Sequence, residues 1–412
     1  MSRLLQSKAR GTVHYAWIVA LACALAMVCG LGLGRFAFGM MLPSMSESLQ
    51  LSYAQGGLLG FSNMVGYMIA VLLVPFVLPK LRTRGLTTVS LLLICSSMLG
   101  LAFSNDFVVL CLLYCVTGIG SGGVVLPTMS VMSHWFKASH RGLASGIVMA
   151  GPGVGIIASG YIVPRLESFH SLQSWQSGWL LFSLICAVVA LLAYAIIRNH
   201  PSDVGAAAYG RVPTGDSGAE VTVEKSKKVR LLASMGLIFA IYGATYMLYV
   251  TFIVTSMVDS YHLSEAVAGN LWACFGFLSV FSGVLFGGLS DRIGRRAGMA
   301  VAFVVLAVAY GLVGFVAWIP GLYISVALFG LAAWSIPVIM SASAGDYFGS
   351  ASAANALAAL TLAFSFGQGG GPVVAGYIAE ATGDFADSYA ASALAALLAV
   401  GLVALLRPPS KA

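Results

Sequence analysis

One charge stands where the chain has little room for charge. In Gly30-Leu31-Gly32-Leu33-Gly34-Arg35-Phe36-Ala37-Phe38-Gly39-Met40-Met41, Arg35 interrupts an apolar run long enough to cross a bilayer. A charge at the bilayer centre costs roughly 2.5–3.5 kcal/mol on translocon scales, so such a residue ordinarily faces a polar cavity and marks a functional site. Its planar, permanently charged fork suits a carboxylate. The other polar residues inside apolar runs are few and fall in spaced sets. Asn63 and Tyr67 stand at i, i+4; Tyr114, Thr117 and Ser121 at i, i+3, i+7; Tyr242, Tyr246 and Tyr249 at i, i+4, i+7. Asn270 stands alone, and Thr361, Ser365 and Gln368 repeat the i, i+4, i+7 spacing. Each set occupies one helix face, fit either to line a cavity or to bond a neighbouring helix for about 0.6 kcal/mol. Trp272 and Trp334 fit a cavity wall or simple packing equally well.

What the runs lack constrains the chemistry further. Every Asp and Glu falls in a loop or at a helix end, among them Glu47, Asp106, Glu167, Asp259, Glu265 and Glu380, and no histidine lies mid-run. Arg35 therefore has no carboxylate partner evident in the sequence, and an unpaired buried guanidinium is costly. A substrate anion is the simplest neutraliser. No Ser/His/Asp grouping or pair of carboxylates shares a depth, which argues against an enzyme. Cys111 and Cys115 share a helix face but have no histidine or acid beside them, so neither a metal nor any cofactor is expected.

The elements that must position these residues follow from composition. With 59% hydrophobic and 8% charged residues in 412, against about 25% charged for a soluble domain, the chain reads as a polytopic membrane protein. At about 20 apolar residues per span, twelve spans are predicted, near 15 to 43, 54 to 78, 86 to 104, 107 to 132, 141 to 164, 177 to 197, 231 to 257, 266 to 289, 297 to 317, 321 to 343, 353 to 379 and 388 to 406. Arg3, Lys8 and Arg10 precede the first, which runs on without a small-residue cleavage site and reads as a retained span. Residues 198–230 are polar and basic and read as a cytoplasmic linker between bundles 1–197 and 231–412.

Placing the N-terminus inside puts 19 of the 21 Lys and Arg on the cytoplasmic side, the exceptions being Arg35 and Arg165. Both termini are accordingly expected in the cytoplasm. The net charge of +7 then lies beside anionic lipid and does not imply nucleic acid. In this topology the Arg35 side chain starts out toward the bilayer interior.

The halves also repeat. Leu51-Ser52-Tyr53-Ala54 answers Leu263-Ser264-Glu265-Ala266, and Trp135-Phe136 answers Tyr347-Phe348, both at an offset of 212. Gly160-Tyr161-Ile162 answers Gly376-Tyr377-Ile378 at 216. Such internal symmetry marks secondary transporters built from two bundles about a midplane site. At offset 212, Arg35 maps to Met247, so the charge has no counterpart.

Between spans 8 and 9 stands Gly287-Gly288-Leu289-Ser290-Asp291-Arg292-Ile293-Gly294-Arg295-Arg296. This resembles motif A of the major facilitator superfamily, G-x-x-x-D-R-x-G-R-R. The resemblance implies an all-α fold of twelve transmembrane helices in two pseudo-symmetric six-helix bundles, working as a monomer. It also implies a gate: Asp291 would face the start of span 5 near Arg141, and Arg292 or Arg295 would reach Asp346, with Arg296 completing the motif. In the first half Asp291 maps to Pro79 and Asp346 to His134, so one competent latch is expected. Gly151-Pro152-Gly153-Val154-Gly155 fits the core of the motif C reported for exporters, where close helix packing explains it as well.

Trp135-Phe136, Arg141-Gly142-Leu143-Ala144 and Gly146 look like the oxalate/formate and monocarboxylate porter branch. The stretch around Arg35 and Leu51 to Gly60 is similar to a related bacterial branch. The essential arginine that monocarboxylate porters carry in span 8 is absent here, which leaves Arg35 for that role. The expectation is a secondary transporter of a small organic anion, a carboxylate, in the bacterial inner membrane, binding through Arg35, Asn63, Tyr67, Tyr114, Tyr242, Tyr246, Asn270 and Gln368. With no acid inside the spans, a coupling proton travelling with the substrate, a counter-anion, or no coupling partner are the open schemes. An exporter of amphipathic metabolites or drugs is the alternative.

Overall fold

The computed structural model describes residues 14–166, 172–211, 225–316 and 318–406. Residues 1–10 with their three basic side chains, together with Glu167 and Glu224, lie outside the described residues. The apolar runs become helices, as they must where no water is present to satisfy backbone N–H and C=O groups. Eleven helices are long and apolar enough to cross a bilayer. One of them, Tyr53–Phe103, is 51 residues long and breaks at Arg82, where φ is 56° and ψ 173°. It supplies two spans, so all twelve are present.

In chain order these are α1 (Tyr15–Leu49), α2 and α3 (53–81 and 83–103), α4 (Phe107–Trp135), α5 (Ser139–Arg165), α6 (Ser174–Ile196), α7 (Lys228–Asp259), α8 (Glu265–Ile293), α9 (Arg295–Gly314), α10 (Ile319–Phe348), α11 (Asn355–Thr382) and α12 (Ala386–Leu405). Short polar caps set the starts. Ser52 accepts from Gln55 N while Gln55 returns a bond to Ser52 N, closing a capping box on α2. Asp106 caps α4 by accepting from Val109 N at 2.9 Å, and Ser264 caps α8.

Spans α1–α6 and α7–α12 form the two bundles, which meet through α1 against α7, α2 against α11, and α5 against α8. Glycines let these surfaces close. A Cβ on Gly57 would lie 2.5 Å from Pro372 O across the α2–α11 seam. Within the first bundle a Cβ on Gly32 would lie 2.7 Å from Gly155 Cα, so motif-C glycines serve the α1–α5 crossing.

The two ends of the molecule differ. At the end away from the termini the bundles are bonded together: Glu380 accepts from Ser52 Oγ at 3.1 Å and from Ala54 N at 3.3 Å, and Tyr53 donates to Asp259 at 3.2 Å. At the end carrying the termini, the hydrogen bonds and ion pairs among the described residues stay within one bundle. There Gly142, Gly146, Gly288 and Gly345 have open space where a Cβ would stand. The structure is therefore closed at one end and open at the other. The described part of the linker is docked, since Tyr209 bonds Trp135 and Lys137 backbone and packs on His14, Trp17 and Phe136. The helix containing α7 begins at Lys225, inside the stretch read as linker.

Three spans are irregular near mid-depth. α1 widens into a π-helix over Val28–Phe36, α5 breaks at Ala150, and α10 breaks at Ala333 and Trp334 between helices Ile319–Ala332 and Ser335–Phe348.

Candidate functional site

Arg35 lies in the π-helical stretch of α1, a wide turn frequently found at functional sites. The wide turn leaves carbonyls to be satisfied from outside. Tyr114 of α4 donates to Arg35 O at 3.1 Å, and Ser121 of the same face donates to Gly30 O at 2.6 Å. The α4 polar set thus holds the backbone of the π segment, while Thr117 bonds Ser97 of α3 at 2.8 Å.

The guanidinium is 5% exposed and sits between the bundles. Its Nη2 donates to Gln368 Oε1 of α11 at 2.9 Å and approaches Met64 Sδ of α2 at 3.0 Å. Met247 Sδ of α7 stands 3.9 Å away. The ring faces of Tyr67 and Phe36 lie 5.4 and 5.9 Å from the guanidinium carbon, within cation–π range. The Nε has no hydrogen-bond partner. The ion pairs among the described residues join Arg295 to Asp291 and Asp346, so Arg35 is met only by neutral groups. It does not snorkel outward: its contacts come from α2, α7 and α11. Arg35 and its repeat counterpart Met247 touch, which places both beside the pseudo-symmetry axis.

Of the other expected binding residues, the structure gathers some and sets others aside. Tyr67 and Gln368 meet the guanidinium, Tyr114 bonds the Arg35 carbonyl, and Tyr246 joins the group through Trp334 and Phe36. Asn63 is one helical turn away, but its Nδ2 is committed to Tyr114 O at 3.1 Å across the α2–α4 seam. Tyr242 spends its hydroxyl on Ala333 O at the α10 break. Asn270 is exposed, one turn inside α8 on a face the bundles do not bury, and it is not part of the cluster. Met64, Met247, Phe36 and Trp334 join the site without having been assigned to it. Met247 carried a sequence signal in its offset of 212 from Arg35, and the sequence leaves Trp334 open between cavity wall and packing. Trp334 sits half-buried at the α10 break, 5.8 Å from Phe36 and 5.7 Å from Tyr246, whereas Trp272 is packed away with Nε1 bonded to Ser159.

The motif between α8 and α9 forms one connected group. Arg295 bonds Asp346 at 2.8 Å, Asp291 at 2.5 Å and Ser290 at 2.8 Å, tying the ends of α8 and α10 to the start of α9. The Arg295–Asp346 contact is the expected one. Asp291 differs from expectation, turning to Arg295 in its own bundle. Arg141 is exposed at the open end. Arg292 is exposed as well, and Arg296 caps the carbonyls of Val403 and Ala404 at the end of α12. Gly294 supplies a φ of 91° at the turn.

Solved structures of similar fold include a D-xylose–proton symporter, with a TM-score of 0.77, 15% identity, and coverage of 97% of this chain and 99% of that one. A bacterial homologue of the human lysosomal transporter Spinster, in an inward-facing and occupied conformation, follows at 0.75 and 14% identity, covering 96% and 97%. Among curated proteins, the hexuronate transporter of Bacillus subtilis is 24% identical over 91% of both chains. The nitrate/nitrite transporter NrtP of Nostoc punctiforme is 25% identical over 56% of this chain and 44% of its own. The phosphoglycerate transporter protein of Salmonella typhimurium is 25% identical over 42% and 37%. Two of these three matches thus take in less than half of the relative's length. The model of a transporter family, described as uncharacterised MFS-type transporter YbfB, matches residues 27–405, and the chain belongs to that family of the major facilitator superfamily.

Proposed function

We propose that the protein is a secondary transporter that carries a small organic monoanion, a carboxylate, across the bacterial inner membrane by alternating access, with both termini cytoplasmic. One observation carries this reading: a guanidinium buried between the bundles, met by an amide oxygen, two thioethers and aromatic faces, with its Nε unpartnered. Burying an unpaired charge is strongly unfavourable, and an anion that replaces Gln368 in the fork removes that penalty. The relatives named above include transporters of a sugar acid, of nitrate and of a phosphate ester, all anions. A single arginine with no second cation beside it favours a monoanion over a phosphate dianion.

The open end faces the cytoplasm in this orientation, so the molecule is inward-facing, and substrate release or entry occurs there. In the outward-facing state the cytoplasmic ends close, bringing Asp291 to the N-terminus of α5 near Arg141, where the helix dipole favours an anion. Coupling proceeds by a proton accompanying the anion, by exchange against a counter-anion, or without either, since the spans hold no acid at the depth of Arg35. The protein works as a monomer, with bundle boundaries near 197 and 231.

The stacked rings of Phe239, Tyr242, Tyr246 and Phe364 support a second reading, an exporter of amphipathic metabolites or drugs. A thermal-shift screen of the purified protein against mono- and dicarboxylates, phosphate esters and cationic drugs separates the two. Stabilisation by monocarboxylates that is lost in Arg35→Ala is expected. Stabilisation by cationic drugs, with carboxylates inert, would overturn the anion reading.

A further inference from the structure

Three tyrosines line one face of α7, and two of them have partners. Tyr242 donates to Ala333 O and Tyr249 shares a bond with Ser325 at 2.8 Å, but the buried Tyr246 hydroxyl has none. The Tyr310 hydroxyl is also unpartnered, yet its ring lies behind, against Tyr249 and Phe329. Tyr246 is the C-terminal-bundle tyrosine that packs on Trp334, whose ring in turn meets Phe36 beside the Arg35 guanidinium. Two unpartnered buried donors, Arg35 Nε and Tyr246 OH, thus belong to one cluster but to opposite bundles.

The wall beside them is flat and aromatic. Trp334 stands where α10 breaks, its backbone N held by Ser282 Oγ at 2.9 Å. Its ring lies 5.8 Å from Phe36 of α1, edge-on at 69°, and 5.7 Å from Tyr246. Discontinuous spans at this depth commonly frame transporter sites. Around the guanidinium the neighbours are Phe36, Tyr67, Met64 and Met247, with Gln368 as the polar partner. Such a wall offers π faces and polarisable sulfur, and few groups that would pair the hydroxyls of a sugar acid. A hydroxyl left unpaired on burial is strongly disfavoured.

Resting on the anion reading, we propose that Tyr246 is the second donor to the substrate carboxylate and Trp334 the face against which its body stacks, so that the site selects planar aromatic monocarboxylates. Arg35 fixes the charge and Trp334 the shape. Because the two donors come from different bundles, one carboxylate bridges them, which ties occupancy to the bundle arrangement.

Binding of benzoate, cyclohexanecarboxylate and glucuronate to the purified protein in nanodiscs, by isothermal titration, tests this. Benzoate is expected to bind about tenfold more tightly than cyclohexanecarboxylate, its saturated analogue of similar size, with glucuronate weaker still. Tyr246→Phe is expected to weaken both cyclic carboxylates about tenfold while keeping their ratio. Trp334→Leu should bring the ratio near one, and Trp334→Phe should retain it in part, which separates stacking from loss of fold. Equal affinities for benzoate and cyclohexanecarboxylate, with binding still dependent on Arg35, would overturn the selectivity and leave the anion reading standing. Unchanged affinity in Tyr246→Phe would remove the second donor. If none of the three carboxylates binds, the anion reading fails and this proposal with it.

Discussion

At the scale of single residues, a guanidinium is kept inside a membrane protein with only neutral groups around it. Gln368 is the neutral partner: its amide oxygen accepts one bond at 2.9 Å and leaves the Nε free. Gln368→Ala is therefore expected to lower the stability of the ligand-free protein by about 1–3 kcal/mol, the cost of leaving a buried donor unpaired. Ligand binding should recover most of that loss. Melting curves with and without carboxylate check this; a drop in melting temperature that ligand does not reverse would show that Gln368 only supports the fold. Tyr114 plays a different part, donating to Arg35 O and holding the π turn. Tyr114→Phe is expected to cost about 1 kcal/mol of stability and to weaken carboxylate binding several-fold without abolishing it, as read by titration. The polar faces of α2, α4, α7 and α11 were legible from spacing, because a period of 3.6 residues decides which side chains share a face. Their division of labour was not. Spacing does not distinguish Tyr114, turned to a carbonyl, from Tyr246, whose hydroxyl is unpartnered. Gln368 meets Arg35 across 333 residues, a contact only the assembled bundles create.

At the scale of elements, the repeat explains a strained turn. Subtracting 212 from Gly294, which has φ 91° and ψ 151°, gives Arg82, with φ 56° and ψ 173°. The duplicated turn keeps the backbone of motif A after losing its glycine. A non-glycine residue in that region costs on the order of 1–3 kcal/mol. Arg82→Gly is expected to raise stability by about 1 kcal/mol, and Gly294→Ala to lower it by a similar amount, in thermal or denaturant unfolding. A loss of stability in Arg82→Gly would show that the arginine's surface contacts outweigh the strain. The α2–α4 seam is the other demanding element, because Gly66 and Gly118 pack against the facing backbone with no space for a Cβ. The twelve spans could be read from hydropathy alone, since the bilayer fixes both length and composition. The π segment of α1 and the breaks of α5 and α10 could not, because an apolar stretch has the same composition whichever hydrogen-bond register it adopts.

At the scale of the whole molecule, the two ends hold complementary closures. The one away from the termini is made, with Glu380 accepting from the α2 cap and first turn and Tyr53 donating to Asp259 across the bundles. A carboxylate at a helix N-terminus is favoured by the dipole, so Glu380→Gln is expected to weaken that closure and shift the population outward. The closure at the end carrying the termini is open, and its acids are held inside the C-terminal bundle by Arg295. Asp291→Asn removes the group proposed to cap α5 in the outward-facing state, and should deepen the inward preference. A cysteine at Gly146, where there is open space, reports both in a background stripped of the seven native cysteines. Labelling is expected to slow in Glu380→Gln and to quicken or stay maximal in Asp291→Asn. Equal rates in parent and Glu380→Gln would show that the Glu380 contact does not control the equilibrium. Motif A announced the superfamily and the Arg295–Asp346 contact from sequence, but not the state the bundles adopt, which depends on a balance between two distant sets of contacts.

The measurement that bears most directly on the central claim is uptake into proteoliposomes of the carboxylate giving the largest thermal shift. Saturable uptake is expected in the parent, lost in Arg35→Ala and in Arg35→Lys, because an ammonium keeps the charge but not the planar fork. Uptake that persists unchanged in Arg35→Ala would contradict that claim.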